Sequence, residues 1–132
     1  MVILAAATPA GAAQLAANFQ ARVNIQTSCL VTATSLDFGN VGVINGGETA
    51  AATVSVNCSS GTPYTISFNA FLPVTGYSGQ MTSGVNQVSY SAALSGSGGT
   101  GPGSHAINGL LPAQPTPSAG IYTDNRTVYL NY

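Results

Sequence analysis

The chain has 132 residues, of which 4% are charged, and its formal net charge is −1. This length accommodates one domain with a hydrophobic core, and so little charge leaves no basic patch that could bind nucleic acid or an anionic membrane surface. Cytosolic domains carry far more charge, about a quarter of their residues, so the composition favours a protein outside the cell or one covered by copies of itself.

Residues 1–14 begin with an apolar run that small residues follow. This pattern is typical of the end of a secretory signal peptide, although the basic segment that normally precedes the apolar run is missing. A retained, extended N-terminal arm is the other interpretation. In both cases the apolar run is too short to span a bilayer.

Residues 15–27 contain a strictly alternating stretch just ahead of the first cysteine. In an extended strand its polar side chains would share one face, and the other face would carry Phe19, Ala21, Val23 and Ile25. An amphipathic strand of this kind usually pairs within its own domain. The alternation alone does not tell whether it fills its own core or that of a neighbour.

Further along the chain, alternating stretches are separated by turns rich in glycine, serine and proline. Strands are predicted over residues 28–34, 36–38, 48–58, 63–71, 87–95 and 120–132, with a brief one at 105–111 inside a region, 96–120, that otherwise reads as turns. The predicted inward rows are Ala52, Val54, Val56 and Cys58, then Tyr64, Ile66, Phe68 and Ala70, then Val88, Tyr90, Ala92 and Leu94. Several short strands with such turns predict an all-β chain, and an immunoglobulin-like antiparallel sandwich is the expected architecture.

The chain has two cysteines, Cys29 and Cys58. In a chain with the composition of an extracytoplasmic protein, such a pair indicates one disulfide. Two unrelated buried thiols are the alternative.

No residues are arranged in a pattern typical of a catalytic or metal site. The one histidine, His105, is expected to be a solvated loop residue, and the acidic residues are scattered along the chain. Asp37 and Asp124 are expected to bond the local backbone in turns. Because a nucleophile elbow and a set of three or four metal ligands are both missing, we predict no enzyme activity and neither a cofactor nor a metal.

The order of several short motifs resembles the Spore Coat Protein U domain family, which includes pilin subunits of the archaic chaperone–usher pathway. The resemblance runs from about Phe19 to Tyr132. Its most specific parts are Cys29 followed by LDFG at 36–39, the strands around Cys58 and Tyr64, Met81, and the closing stretch GIYTDNRTVYLNY at 120–132.

The resemblance implies that residues 28–132 form an incomplete immunoglobulin-like β-sandwich, which a donor strand from a neighbouring subunit completes. Residues 15–27 would be that donor strand, with Phe19, Ala21, Val23 and Ile25 facing the core of the neighbour. The acceptor groove would be lined by inward residues of the first and last strands, such as Val128 and Leu130. The disulfide of the family maps to Cys29 and Cys58.

The same resemblance implies a structural subunit of a secreted chaperone–usher-type pilus that serves surface adhesion or biofilm formation. Its partners would be copies of itself in a head-to-tail filament, with a periplasmic chaperone and an outer-membrane usher during assembly, and it would bind no nucleic acid and not insert stably into a membrane. The alternative is a self-complemented secreted coat or adhesin module that binds carbohydrate or a surface. A small secreted hydrolase that depends on His105 is a third hypothesis.

Overall fold

The computed structural model describes residues 13–132, and all the regular elements in this range are β-strands. The predicted signal-peptide remnant or arm at residues 1–14 therefore lies almost wholly outside the described residues. The strands are β1 (Cys29–Ala33), β2 (Thr49–Cys58), β3 (Pro63–Ser67), β4 (Gly76–Ser83), β5 (Asn86–Leu94), β6 (Gly98–Thr100), β7 (Gly103–Leu110) and β8 (Tyr129–Asn131). From residue 13 onward, no helix is long and apolar enough to cross a membrane.

The strands form two sheets in which every pair is antiparallel. One sheet has five strands in the order β1-β2-β7-β5-β4, and the other has three in the order β6-β3-β8. The chain passes from one sheet to the other in five connections: β2–β3, β3–β4, β5–β6, β6–β7 and β7–β8. The result is an incomplete immunoglobulin-like β-sandwich, which confirms the predicted fold class.

The interior consists of two adjoining clusters of apolar side chains. The first core cluster combines residues of both sheets: Val54, Val56, Cys58, Tyr64, Ile66 and Leu94. The second core cluster comprises Ile44, Val88, Tyr90, Ala92 and Leu111, and Leu36, Phe38 and Tyr122 pack against it. The second core cluster is therefore covered largely by irregular segments, whereas the first is covered by the three-stranded sheet.

The predicted inward rows of β2 and β5 are confirmed. Every side chain in these rows is buried, with exposed fractions between 0% for Val54 and 8% for Leu94. Tyr64 and Ile66 of β3 are also buried, but β3 ends at Ser67, so Phe68 and Ala70 belong to a loop and are half-buried. Period-two alternation finds these strands because each has one face against the core and one against solvent.

Two strand predictions differ from the structure, and the donor strand at 15–27, which would pair with another copy, stays a prediction. The stretch 36–38 is irregular, because Asp37 Oδ1 accepts a hydrogen bond from the Gly39 amide at 2.7 Å and turns the chain. The last strand is confined to Tyr129–Asn131, with one isolated bridge between Thr82 and Thr123 further upstream. The alternating stretch at 15–27 forms no strand within the described chain.

Two strands lie where turns were expected or where no strand was predicted. β6 and the start of β7 fall within the predicted turn region, and the brief strand expected at 105–111 extends over Gly103–Leu110. β4 was not predicted from the sequence, because its inward side chains include Gly79 and Ser83, which give no apolar alternation.

Candidate functional site

The inner face of the edge strand β1 is left open. Val31 of β1 is paired with Val56 of β2, and Ala33 with Val54, so each pair projects from the same face of the sheet. Val56 is 3% exposed, but Val31 is 36% exposed, and Ala33 is exposed as well. The row of β1 that faces the interior is therefore incompletely covered. Among the described residues, the outer edge of β1 has no strand partner.

β8 is the edge strand of the other sheet, and it too lacks an outer partner within residues 13–132. Its Leu130 is paired with Ile66, which is 1% exposed. Val128 and Leu130 are half-buried and pack against the first core cluster, as does Cys29 of β1. The two unpaired edges thus border the same cluster.

We call the apolar residues at these two free edges, Val31 and Ala33 on one side and Val128 and Leu130 on the other, the cleft. The outer edges of β1 and β8 offer backbone N–H and C=O groups without a strand partner in residues 13–132. A cleft of this kind suits an added strand, since the ladder bonds supply affinity and alternate side chains pack against the apolar residues. Val128 and Leu130 are the acceptor residues predicted from the sequence, and their role as acceptors stays a prediction.

Residues 13–28 precede β1, and we call them the arm. The arm has no strand, and every one of its residues is exposed. The exposed fractions are 92% for Phe19, 77% for Val23 and 74% for Ile25, and Ala21 is exposed as well. The predicted donor row and the predicted acceptor residues are therefore not brought together within one chain.

The base of the arm is fixed to the sandwich. The Ser28 amide donates to Ser59 Oγ at 3.1 Å, and the Ser59 amide donates to the Ser28 carbonyl at 2.9 Å. The next residue, Cys29, forms a disulfide with Cys58, as expected from the cysteine count. The arm therefore leaves the sandwich at a fixed point at the start of β1.

A polar cluster lies just before β8. The Asp124 Oδ2 atom accepts hydrogen bonds from Tyr90 Oη at 2.7 Å and from Arg126 Nε at 2.8 Å. Because the Tyr90 proton points to Asp124, the Tyr77 hydroxyl donates to Tyr90 across 2.9 Å. The Arg126 guanidinium lies 4.7 Å from the centre of the Tyr77 ring, so Arg126 contacts both ends of this chain of bonds. We call these four residues the clamp.

The clamp adds to the expectation for Asp124, which was predicted to bond its local backbone in a turn and does accept a backbone hydrogen bond from Asn125. Its carboxylate also reaches Tyr90 in β5, and it forms with Arg126 the one ion pair of the described chain. Burial raises the pKa of Asp124, but the hydrogen bonds from Arg126 and Tyr90 outweigh burial, so its pKa is lowered. Burial, together with the bonds to Tyr77 and Asp124, raises the pKa of Tyr90.

His105 also differs from its prediction as a loop residue. It lies in β7, where it is half-buried, and its Nε2 atom is 2.7 Å from the hydroxyl of Tyr64 in β3. This contact links the two sheets. Residues 13–132 contain no group of three or more side chains that could hold a metal ion.

These observations define an antiparallel β-sandwich with an open cleft between two edge strands and an exposed, apolar N-terminal arm. The model of the Spore Coat Protein U domain matches residues 15–92, more than half of the chain, and the chain belongs to that family. It is a family of chaperone–usher pilins and coat proteins, which are structural, extracellular proteins and not enzymes. A comparison with curated proteins finds no match.

The bounds of the match are informative about the arm. The match begins at residue 15, so the family's domain includes the alternating stretch that carries Phe19, Val23 and Ile25. It ends at residue 92, within β5, so β7 and β8 lie beyond it. The acceptor residues Val128 and Leu130 therefore rest on the resemblance and the geometry, without support from the match.

Proposed function

We propose that this protein is a structural subunit of a secreted chaperone–usher-type pilus, in which the arm of one copy completes the sandwich of the next. The single observation that carries the proposal is that one chain has both an exposed apolar arm and an open apolar cleft. Large apolar surfaces of both kinds are rare on free monomers and mark places where another chain binds. The proposed role is surface adhesion or biofilm formation.

The arm supplies what the cleft lacks. Its alternating residues would place Phe19, Val23 and Ile25 against the apolar residues of the cleft, while its backbone pairs with the free edges of β1 and β8. Burying these three side chains stabilises the contact by about 5–9 kcal/mol, at roughly 1.5–3 kcal/mol each. Ladder hydrogen bonds and closure of the core add to this figure, and release would require opening the sandwich.

Donation to a neighbour fits the geometry better than folding back. The two hydrogen bonds between Ser28 and Ser59 hold the base of the arm in line with β1. An arm that folded back along β1 would need to reverse direction over about residues 24–27, and that turn would remove Ile25 from the apolar row. A head-to-tail contact between copies does not close on itself, so it builds a filament.

The assembly partners are those that membership of the Spore Coat Protein U family implies. We infer that a periplasmic chaperone occupies the cleft until an outer-membrane usher exchanges it for the arm of the next subunit. The exposed edges are consistent with this, since a free subunit with unpaired edges would be prone to aggregate.

A matched pair of substitutions on opposite faces of the arm tests the proposal. Val23→Asp places a charge in the apolar row, whereas Asn24→Asp places the same charge on the polar face one residue away. We expect the purified wild type and Asn24→Asp to form detergent-resistant multimers and filaments visible by electron microscopy. Val23→Asp should abolish both, because a carboxylate in the cleft would be buried without a partner.

Two outcomes would contradict the proposal. Multimers of equal resistance from both variants would show that the apolar row is not what holds copies together. A wild type that is monomeric on a sizing column, with Val23→Asp less stable to urea than Asn24→Asp, would indicate a self-complemented coat or adhesin module instead.

A further inference from the structure

We propose that the clamp formed by Tyr77, Tyr90, Asp124 and Arg126 is a positioning device that holds β8 ready to receive the donor strand. This inference rests on the proposed function, and it adds a group of residues that sets how readily the donor strand is captured. None of the four residues lines the cleft, so the clamp acts through the position of β8 and makes no contact of its own with the arm.

The clamp lies where the chain crosses between the sheets. Upstream of it, Thr82 in β4 and Thr123 exchange two backbone hydrogen bonds of 2.9 and 3.1 Å, so the chain starts on the five-stranded sheet. Downstream, Tyr129–Asn131 belong to the three-stranded sheet. Asp124 and Arg126 lie between these attachments, and the clamp therefore fixes the place from which the chain departs toward β8.

β8 depends on such an anchor because its own pairing is short. Its backbone is paired only with Thr65, Ile66 and Ser67 of β3, and its opposite edge is free in the described chain. A strand this short, with one neighbour, is held weakly by its ladder alone. Arg126 precedes the cleft residue Val128 by two positions, so movement of the clamp would move this side of the cleft.

The packing around the clamp leaves it little freedom. Gly79 of β4 lies beneath it, and a Cβ atom at Gly79 would approach Arg126 Nη2 to 2.9 Å, Asp124 Oδ2 to 3.0 Å and Tyr90 Cε1 to 3.1 Å. The glycine therefore permits Asp124 and Arg126 to lie directly against β4. Tyr90 is 4% exposed, which anchors the clamp in the second core cluster.

The clamp contains a large share of the few charged residues of this chain. The chain has two cations and three acidic residues in all, and one of each forms the ion pair of the clamp. The side chain of Asp124 is 19% exposed and that of Arg126 is 46% exposed, so the bond from the buried Tyr90 is better shielded from solvent than the ion pair with Arg126. A charged hydrogen bond of this kind fixes direction as well as distance.

The inference is tested by measuring how a synthetic donor peptide of residues 13–28 binds to full-length acceptor chains. The acceptor carries Val23→Asp, which disables its own arm, and a second substitution is added to it. Asp124→Asn breaks the clamp, and Asp37→Asn is the matched control, because the Asp37 carboxylate bonds only its own turn. The measurements are peptide association and dissociation rates by fluorescence anisotropy and hydrogen exchange of the β8 amides.

We expect Asp124→Asn to slow peptide association and to speed dissociation, each by about tenfold, while Asp37→Asn leaves both rates unchanged. The β8 amides should lose protection in Asp124→Asn, and the amides of β2 should keep theirs, a pattern that general destabilisation would not give. Arg126→Gln should reproduce the effect in weaker form, because Tyr90 still donates to Asp124.

The possible failures are distinguishable. Peptide rates in Asp124→Asn that equal those of Asp37→Asn, or β8 amides that stay protected, would overturn the clamp and leave the proposed function standing. Failure of the peptide to bind the acceptor that carries Val23→Asp alone would overturn strand donation, and with it the role of the clamp in capture.

Discussion

Gly109 of β7 lies directly beneath the Phe38 ring. A Cβ atom at Gly109 would approach Phe38 Cζ to 2.9 Å and Leu36 Cδ2 to 2.8 Å. Both side chains pack against the second core cluster, so neither can move away without opening a gap there. The bare backbone at Gly109 thus lets the irregular segment at residues 34–48 cover this half of the sandwich.

Gly109→Ala should therefore destabilise the fold. The added methyl group forces Leu36 or Phe38 out of its packed position, which costs about 1–2 kcal/mol. Gly42→Ala is the control, because a Cβ atom there meets nothing within 4 Å, and its effect should stay within about 0.5 kcal/mol. Urea unfolding of both variants, each made with Val23→Asp to prevent assembly, measures the difference. Equal midpoints would contradict the close packing described for Gly109.

The ladder pair Val31 and Val56 offers a second test, because the same substitution should act at different stages, before assembly at Val56 and after assembly at Val31. Val56→Thr buries a hydroxyl group in the first core cluster and should cost about 1–3 kcal/mol in the unassembled chain. Val31→Thr should cost less there, about 0.5 kcal/mol, since Val31 is 36% exposed and the new hydroxyl group could reach solvent. In the assembled form, Val31→Thr should lower the detergent resistance of the multimers.

Urea unfolding in the Val23→Asp background gives the first comparison, and gel analysis of multimers heated in detergent gives the second. A Val31→Thr variant that is as unstable as Val56→Thr before assembly would mean that the inner face of β1 is covered in the free chain.

Replacement of both cysteines by alanine should lower stability substantially. The disulfide joins residues 29 positions apart, and closing a loop of that size stabilises a fold by about 3–4 kcal/mol in the chain-entropy model. Reductant should destabilise the wild type by a similar amount and leave the Cys29→Ala/Cys58→Ala variant unaffected. Thermal unfolding with and without reductant measures both effects, and insensitivity of the wild type to reductant would contradict the expectation.

Acid should weaken the fold through Asp124. Its pKa is lower in the folded chain than the usual value of about 4, because the hydrogen bonds from Arg126 and Tyr90 outweigh burial. The stabilisation is therefore complete above about pH 4 and is lost as the pH falls through the lower folded pKa. Melting temperatures measured across this range should fall in the wild type and stay flatter in Asp124→Asn. Parallel curves for the two proteins would contradict this assignment.

The sequence allowed good prediction of the elements whose side chains alternate between core and solvent. The rows that include Val54 and Tyr90 were found because period two is strict there and one face is fully buried. The disulfide between Cys29 and Cys58 could also be predicted, because two cysteines in a chain of this composition allow one intramolecular disulfide.

The rest depends on contacts that no local pattern records. β4 was missed because Gly79 serves the close approach of Asp124 and Arg126, and that approach is visible only once the last segment is in place. The stretch at 36–38 looks like a strand by composition, yet Leu36 and Phe38 reach the core from an irregular segment. The arm has the alternation of a strand, but its described residues find no partner within the chain, so its conformation is not fixed by its own sequence.

The disulfide has a mechanical consequence in a filament of the proposed kind. Tension along the filament would reach each subunit through its arm and pull on Ser28 at the start of β1. Cys29, the next residue, is bonded covalently to Cys58 at the end of β2. The force would therefore pass at once into β2, a ten-residue strand paired on both sides. β1 could not be peeled away one hydrogen bond at a time, and rupture would have to occur elsewhere.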